Sequence, residues 1–276
     1  MTTLQKIIKY FATIFAVFLI ITIISAILSG GQVLLSAFGL INENSNIVME
    51  DLKVISSEEK EVSTLKIDLT STNLEIKTGE IFKVETNNSK ITFINDNGSV
   101  KIKEKNRNWL NNNNKESKLI IYIPENMILL DETKIETSAG KIKIEKLNTQ
   151  GLYLNLGAGD VYIENVIVTS ETKIDSGVGK IELKYCEMNN LKANLGMGEF
   201  VFSGKLTGKS EMNSGVGAIN VDLMDNKKNY TVDVSKGIGN VTLDGQKLEM
   251  DILYGTGENY LYIDGGIGEI KIRFKS

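Results

Sequence analysis

A Gly-x-Gly step recurs from about Thr133 onward, each time between short segments of alternating apolar residues. In order the steps are SAG ending at Gly140, GAG at Gly159, GVG at Gly179, GMG at Gly198, GVG at Gly217, GIG at Gly239, GTG at Gly257 and GIG at Gly268. Their spacings are 19, 20, 19, 19, 22, 18 and 11. A period near twenty means stacked copies of one small unit that cannot bury its apolar face alone. Two and four positions after the step stand pairs such as Ile142/Ile144, Val161/Ile163, Ile181/Leu183 and Phe200/Phe202, while the Gly257 unit carries its pair later, as Leu261/Ile263. Three positions before the step runs a second column, Ile135, Leu154, Ile174, Ala193, Met212, Val234 and Ile252. Alternation with period two predicts strands buried on one face.

The middle residue of the step is apolar as well: Ala139, Ala158, Val178, Met197, Val216, Ile238 and Ile267. Counting by twos from Ile135 places it inward, with a one-residue phase slip at the second Gly. A flat strand cannot keep both runs on one core, so the chain must bend there, and glycine suits such a bend. The reading is all-β, a β-solenoid of about twenty residues per turn whose strands stack about 4.8 Å apart.

The amino terminus reads differently. Lys6 and Lys9 precede the run IFAVFLIITIISAIL, and no charged residue occurs from Tyr10 to Asn42. That length predicts one transmembrane helix, and the basic residues before it put the tail in the cytoplasm and the repeats outside the cell membrane. A cleaved signal peptide is the rival reading, with small residues at Ser25, Ala26, Ser29 and Gly30, but its apolar region would exceed the usual length. Residues 1–41 are therefore read as cytoplasmic tail and anchor, 42–61 as a polar juxtamembrane linker, and 62–276 as the solenoid.

Early strands are expected at Leu65/Ile67/Leu69, Leu74/Ile76, Ile91/Phe93 and Val100/Ile102, and in LIIYIP ending at Pro124, as less regular turns that cap the coil. Asn106 to Ser117 reads as an exposed loop, with Trp109 covering the apolar end of the coil. At the other end Ile270 and Ile272 should complete the last turn, with Lys271, Arg273 and Lys275 discouraging further edge pairing.

Catalytic chemistry is poorly supplied. The sequence has no His, one Cys and Arg only at Arg107 and Arg273. That removes the usual general base and metal ligand. Cys186 follows Ile181 and Leu183 in a strand and reads as a core or corner residue. The glycines of GAGDVY and GTGENY lead into strands, whereas a nucleotide-binding fingerprint needs a helix there. GGIGEIKI lacks the nine-residue spacing and Asp of a calcium-binding β-roll. A polysaccharide lyase is the enzyme alternative, but both Arg residues are expected outside the regular turns. The expectation is a chain with no catalytic, cofactor-binding or metal site and, at a net charge of −4, no nucleic-acid partner. One surface column stands out two positions before the step: Glu136, Asn155, Asp175, Asn194, Asn213 and Ser235. On a solenoid these would form an outward polar ladder, matched to a repetitive glycan or simply stabilising the coil.

The array SAGKIKI, GAGDVYI, SGVGKIEL and SGVGAINV, preceded by a strand ending in IYIP and an apolar amino-terminal run, resembles the bacterial putative adhesin family with β-strand repeats. That family is of unknown function and is related to the head domain of putative autotransporter adhesins. The resemblance spans roughly Val62 to Phe274. It implies a right-handed single-stranded β-helix at the cell envelope, with no catalytic motif. The function it suggests is a non-catalytic adhesin or envelope-binding scaffold, in contact with an envelope polymer or a membrane protein. Association of similar anchored proteins with envelope-stress signalling implies the alternative, an accessory regulator of such a sensor.

Overall fold

One pass of the alternating pattern makes one coil. In the coil formed by strands Leu147–Ala158 and Val161–Glu164, Leu152, Leu154, Leu156, Val161 and Ile163 are buried, while Asn155, Tyr162 and Glu164 face solvent. The next coil runs through Val166–Asn189 and lies parallel and in register, with Leu154 beside Ile174, Val161 beside Ile181 and Ile163 beside Leu183. Phe200 and Phe202, in Leu191–Thr207, are fully buried in the same two columns. Withdrawing each of these rings from water contributes about 1.5–3 kcal/mol. The computed structural model describes residues 52–58, 62–105, 116–125, 129–248 and 252–275. The anchor at 1–41, Arg107 and Trp109 lie outside them. Among the described residues the single helical piece is a 3-10 turn at Lys227–Asn229, and no helix is long and apolar enough to cross a membrane.

The glycine column explains the bend. At Gly198 φ is +141°, and a Cβ there would overlap the carbonyl oxygen of Gly179 in the coil below. The same crowding recurs up the column from Gly159, but not at Gly140, whose nearest neighbours would be Asn73 Oδ1 and the Thr72 carbonyl oxygen at 3.3 Å. Crowding therefore begins one coil inside the array, where glycine stacks on glycine.

The middle residue of the step does not face inward. Inward positions before the bend are Ile135 and Thr137, or Leu154 and Leu156; after it they are Ile142 and Ile144, or Val161 and Ile163. The phase does slip by one, but the corner itself bulges outward, so Val178, Met197, Val216, Ile267 and Ile238 project into solvent.

Coil order in space departs from order in sequence at both ends. The coil Thr64–Leu69 with Asn73–Gly79 is internal, flanked on one side by Leu130–Ala139 with Ile142–Ile144 and on the other by Ser99–Glu104 with Lys118–Pro124. The cap lies beyond: Phe82–Thr86 runs antiparallel to Lys118–Pro124, and Ile91–Asp96 antiparallel to Ser99–Glu104. Pro124 ends its strand, as expected of a residue lacking an N–H. The stretch read as a linker holds a strand, Lys53–Glu58, which pairs antiparallel with Phe82–Thr86. Its side chains are largely exposed, so no alternation betrays it.

The far end mirrors this arrangement. Asn259–Ile267 and Ile270–Phe274 lie between Lys209–Leu223 on one side and Tyr230–Ile238 with Val241–Leu243 on the other. Gly268 therefore stacks directly on Gly217, and Gly239 on Gly268. The GTG at Gly257 is not a step of the column: Leu261 and Ile263 belong before the step Gly266–Gly268, with Ile263 beside Met212 and Val234. Ile252 leaves the expected column too, since Ile252–Tyr254 pairs antiparallel with Val232–Val234. Ile270–Phe274 is thus an interior strand rather than the free edge its charges suggested, and Arg273 lies inside a coil.

Those charges are partnered. Arg273 Nη2 donates to Asp222 Oδ2 at 3.0 Å and Lys275 Nζ donates to the same oxygen at 2.7 Å. Burial raises the Asp222 carboxyl pKa, but hydrogen bonds and charge from Arg273 and Lys275 outweigh it, leaving the pKa below its ordinary value. A depressed carboxylate contributes stability above its unfolded pKa of about 3.9 and loses it as pH falls through the folded value. Asp222→Asn should therefore flatten the acid limb of stability below about pH 4. Chemical denaturation at pH 3 and pH 7 checks this, and an acid loss equal to that of the wild type would refute the assignment.

Tyr230 seals the outer coil. It is fully buried, its hydroxyl donates to the Leu206 carbonyl oxygen at 3.0 Å, and its ring lies 5.6 Å from that of Phe274. Burial pushes its hydroxyl pKa up to about 12.

Candidate functional site

Strand register brings the polar ladder together. Glu136, Asn155, Asp175, Asn194 and Asn213 occupy successive coils at the same position. Asp264 then follows Asn213, and Ser235 follows Asp264. The sequence reading missed Asp264 because the exchanged coil order hides it. The signal was present: Asp264 stands two residues before Gly266, the offset of every other member.

Beside the ladder runs an open groove of about 610 Å³. Asn155, Asp175, Asn194, Asn213 and Asp264 supply its polar side, and Gly177, Gly196, Gly215 and Gly266 leave its floor without side chains. The groove exists because the first glycine of these steps is crowded too, though less than the second: a Cβ on Gly196 would overlap the Gly177 carbonyl oxygen. Backbone is consequently exposed along the floor. Ser176 and Ser214 add hydroxyls. Glu136 and Ser235 continue the ladder but lie outside the groove, and Glu136 is paired with Lys134 at 2.8 Å.

The ladder is internally hydrogen-bonded. Asn194 Nδ2 donates to Asp175 Oδ1 at 2.7 Å, and Asn213 Nδ2 donates both to Asn194 Oδ1 at 3.1 Å and to Glu211 Oε1 at 2.8 Å. These bonds fix the amide orientations along the ladder. The Asn194 amide holds the Asp175 carboxyl below its ordinary pKa, against partial burial and with help from Lys173, whose Nζ lies 3.1 Å away. At neutral pH the groove therefore carries fixed carboxylate, and none of its lining residues is Lys or Arg.

Elsewhere the reactive groups are sequestered. Cys186 is buried and its thiol donates to the Lys184 carbonyl oxygen at 3.2 Å. Burial raises its pKa to about 11, so it remains a protonated thiol at neutral pH. Among the described residues no group of three or more His, Cys, Asp or Glu is placed to hold a metal ion.

Residues 62–258 match the family described as Toastrack DUF4097. The chain belongs to that family. Its repeats and stacked coils are those of a β-solenoid-like Toastrack domain, in keeping with the adhesin-family resemblance read from the glycine steps. Among curated proteins, none matches the chain. Solved structures similar to it include a putative cell adhesion protein from Clostridium sporogenes, at 21% identity over 82% of this chain and 98% of that one, with a TM-score of 0.36. A putative adhesin from Bacteroides fragilis is 14% identical over 81% of this chain and 97% of its own, with a TM-score of 0.37. A putative lipid binding protein from Parabacteroides distasonis is 12% identical over 80% and 96%, with a TM-score of 0.26.

Proposed function

We infer that this Toastrack chain is a non-catalytic binding module of the cell envelope whose glycine-floored groove holds an extended, uncharged glycan. The observation that carries this reading is the coincidence of groove and ladder. A row of amide and carboxylate side chains repeats at strand spacing along a floor of exposed backbone, and hydroxyl-rich polymers are recognised by such repeated donors and acceptors. The Asp264 carboxylate, and Asp175 with its Lys173 partner standing outside the lining, leave no cation in the groove to receive a polymer bearing phosphate or carboxylate. The amino-terminal sequence supports the placement: basic residues, then about twenty apolar ones, then the acidic Glu43, Glu50 and Asp51. That charge asymmetry fits a single-pass anchor with the coils outside.

The test uses the full-length chain with Asn155, Asp175 and Asn194 all replaced by Ala. Three lost hydrogen-bonding positions should weaken retention of a neutral envelope polysaccharide by about a hundredfold, while loss of the Asn194–Asp175 and Asn213–Asn194 bonds lowers the melting temperature by only a few degrees. Retention equal to the wild type by a folded triple variant would overturn the assignment of the groove.

A further inference from the structure

The outward corner residues form a second, unexplained column. Strand register places Ala139, Ala158, Val178, Met197, Val216, Ile267 and Ile238 one above another. All seven are apolar, and the five larger ones are well exposed, at 49% for Val178, 41% for Met197 and Val216, 52% for Ile267 and 71% for Ile238. Solvated strand corners have no reason to exclude polar residues along a whole array, and a continuous exposed apolar row marks a contact surface. The neighbouring column, exposed or half-buried, bears on the partner. In the same order it reads Lys141, Asp160, Lys180, Glu199, Ala218, Glu269 and Asn240. The first four alternate in sign and Glu269 adds a further anion, so there is no basic excess to suit an anionic membrane surface.

We propose that this ridge pairs with the same ridge of a second copy, antiparallel, about a two-fold axis between Val178 and Met197. A two-fold axis across the ridge brings like columns together in opposite directions. With the axis at this place, Ala139 meets Ile267, Ala158 meets Val216 and Val178 meets Met197, so among these six each small residue faces a large one and the two backbones keep an even separation, while Ile238 lies beyond the paired stretch. The flanking column agrees: Lys141 faces Glu269 of the second copy, and Lys180 faces Glu199 of the second copy. Within one chain Lys180 already lies 3.3 Å from Glu199, so the axis would close a ring of two cations and two anions. Moving the axis onto Val178 sets Lys180 against Lys180, and moving it onto Met197 sets Glu199 against Glu199. Shifting it by a full coil in either direction gives up an ion pair or part of the ridge. The ridge adjoins the glycine floor, so the two grooves would face each other across the pair.

The mass of the full-length chain in detergent, by sedimentation equilibrium, reads this out. The wild type should be a dimer, and Met197→Glu should make it a monomer. Lys141→Glu and Glu269→Lys should each raise the dissociation constant about tenfold, and the double exchange should restore it. Positions 141 and 269 lie five coils apart in one chain, about 24 Å, so restoration can only be transmitted through the second copy. A wild-type monomer at all concentrations, a dimer that survives Met197→Glu, or a double exchange no better than its single changes would each overturn the proposal. None of these readouts depends on glycan binding, so the groove and the ridge stand or fall separately.

Discussion

Replacing Gly198 by Ala is expected to lower stability by about 3–5 kcal/mol, among the largest effects a single methyl group can have. Two costs coincide there. The residue sits at φ +141°, which an L side chain rarely adopts, and its Cβ would overlap the Gly179 carbonyl oxygen. Neither can be relieved alone, because moving Gly198 away from Gly179 drives it into Gly217, whose own Cβ position already overlaps the Gly198 carbonyl. Thermal melting should show a fall of about 10 °C or more. Gly245→Asn is the matching control, since φ there is +80°, a Cβ has nothing within 4 Å, and Asn tolerates that conformation. A Gly198→Ala melt within a few degrees of the wild type would mean that the coils can respace, and the close-stacked account of the column would be wrong.

Ending the chain at Glu258 is expected to unfold more than it removes. In a solenoid whose spatial order followed its sequence, the cut would take off one terminal coil and leave the preceding one in place. Here it takes out an interior coil. Tyr230–Ile238 and Val241–Leu243 pair in parallel only with the deleted strands, so their remaining partners are the short antiparallel strands at 246–248 and 252–254. Amide exchange should show residues 230–243 losing protection while 147–207 keep theirs, since coils interact chiefly with nearest neighbours. Full protection of 230–243 in the shortened chain would refute the interleaved order.

Much of this architecture can be read from the residues, and the exceptions share a cause. The period, the buried columns from Ile135 to Met212 and the ladder from Glu136 to Asn213 follow from local alternation, which dictates which way a side chain points. Alternation does not say which strand lies alongside. Ile263 and Ile270 look the same whether their coil is terminal or interior, so the exchange at the far end left only indirect traces: the spacing of 11 and the misplaced pair Leu261/Ile263. Gly257 resembled a step because GTG has the right letters, yet no glycine stacks on it. Val178 and Met197 were placed inward because their apolar character suggested burial and the corner's outward bulge has no signature of its own. Lys53–Glu58 escaped notice because an edge strand exposed on both faces has no period to detect. The ladder was visible as a pattern, but the groove beside it was not, since it arises from missing side chains.

Closure at both ends by antiparallel strands has a consequence for how such a protein can change size. The two termini of the stack are each a tailored fit: one is closed by segments between Lys53 and Pro124, the other by the interleaving of 209–274. Neither can accept another unit without being rebuilt. The coils between them pair in parallel on both sides and stack glycine on glycine, so one could be copied or lost there with every glycine still resting on a glycine. Each such event would change the reach of the array by about 4.8 Å and the number of rungs along the groove by one. Variation in length is thereby confined to the middle, where it would alter how much polymer is held and nothing about how the ends are sealed.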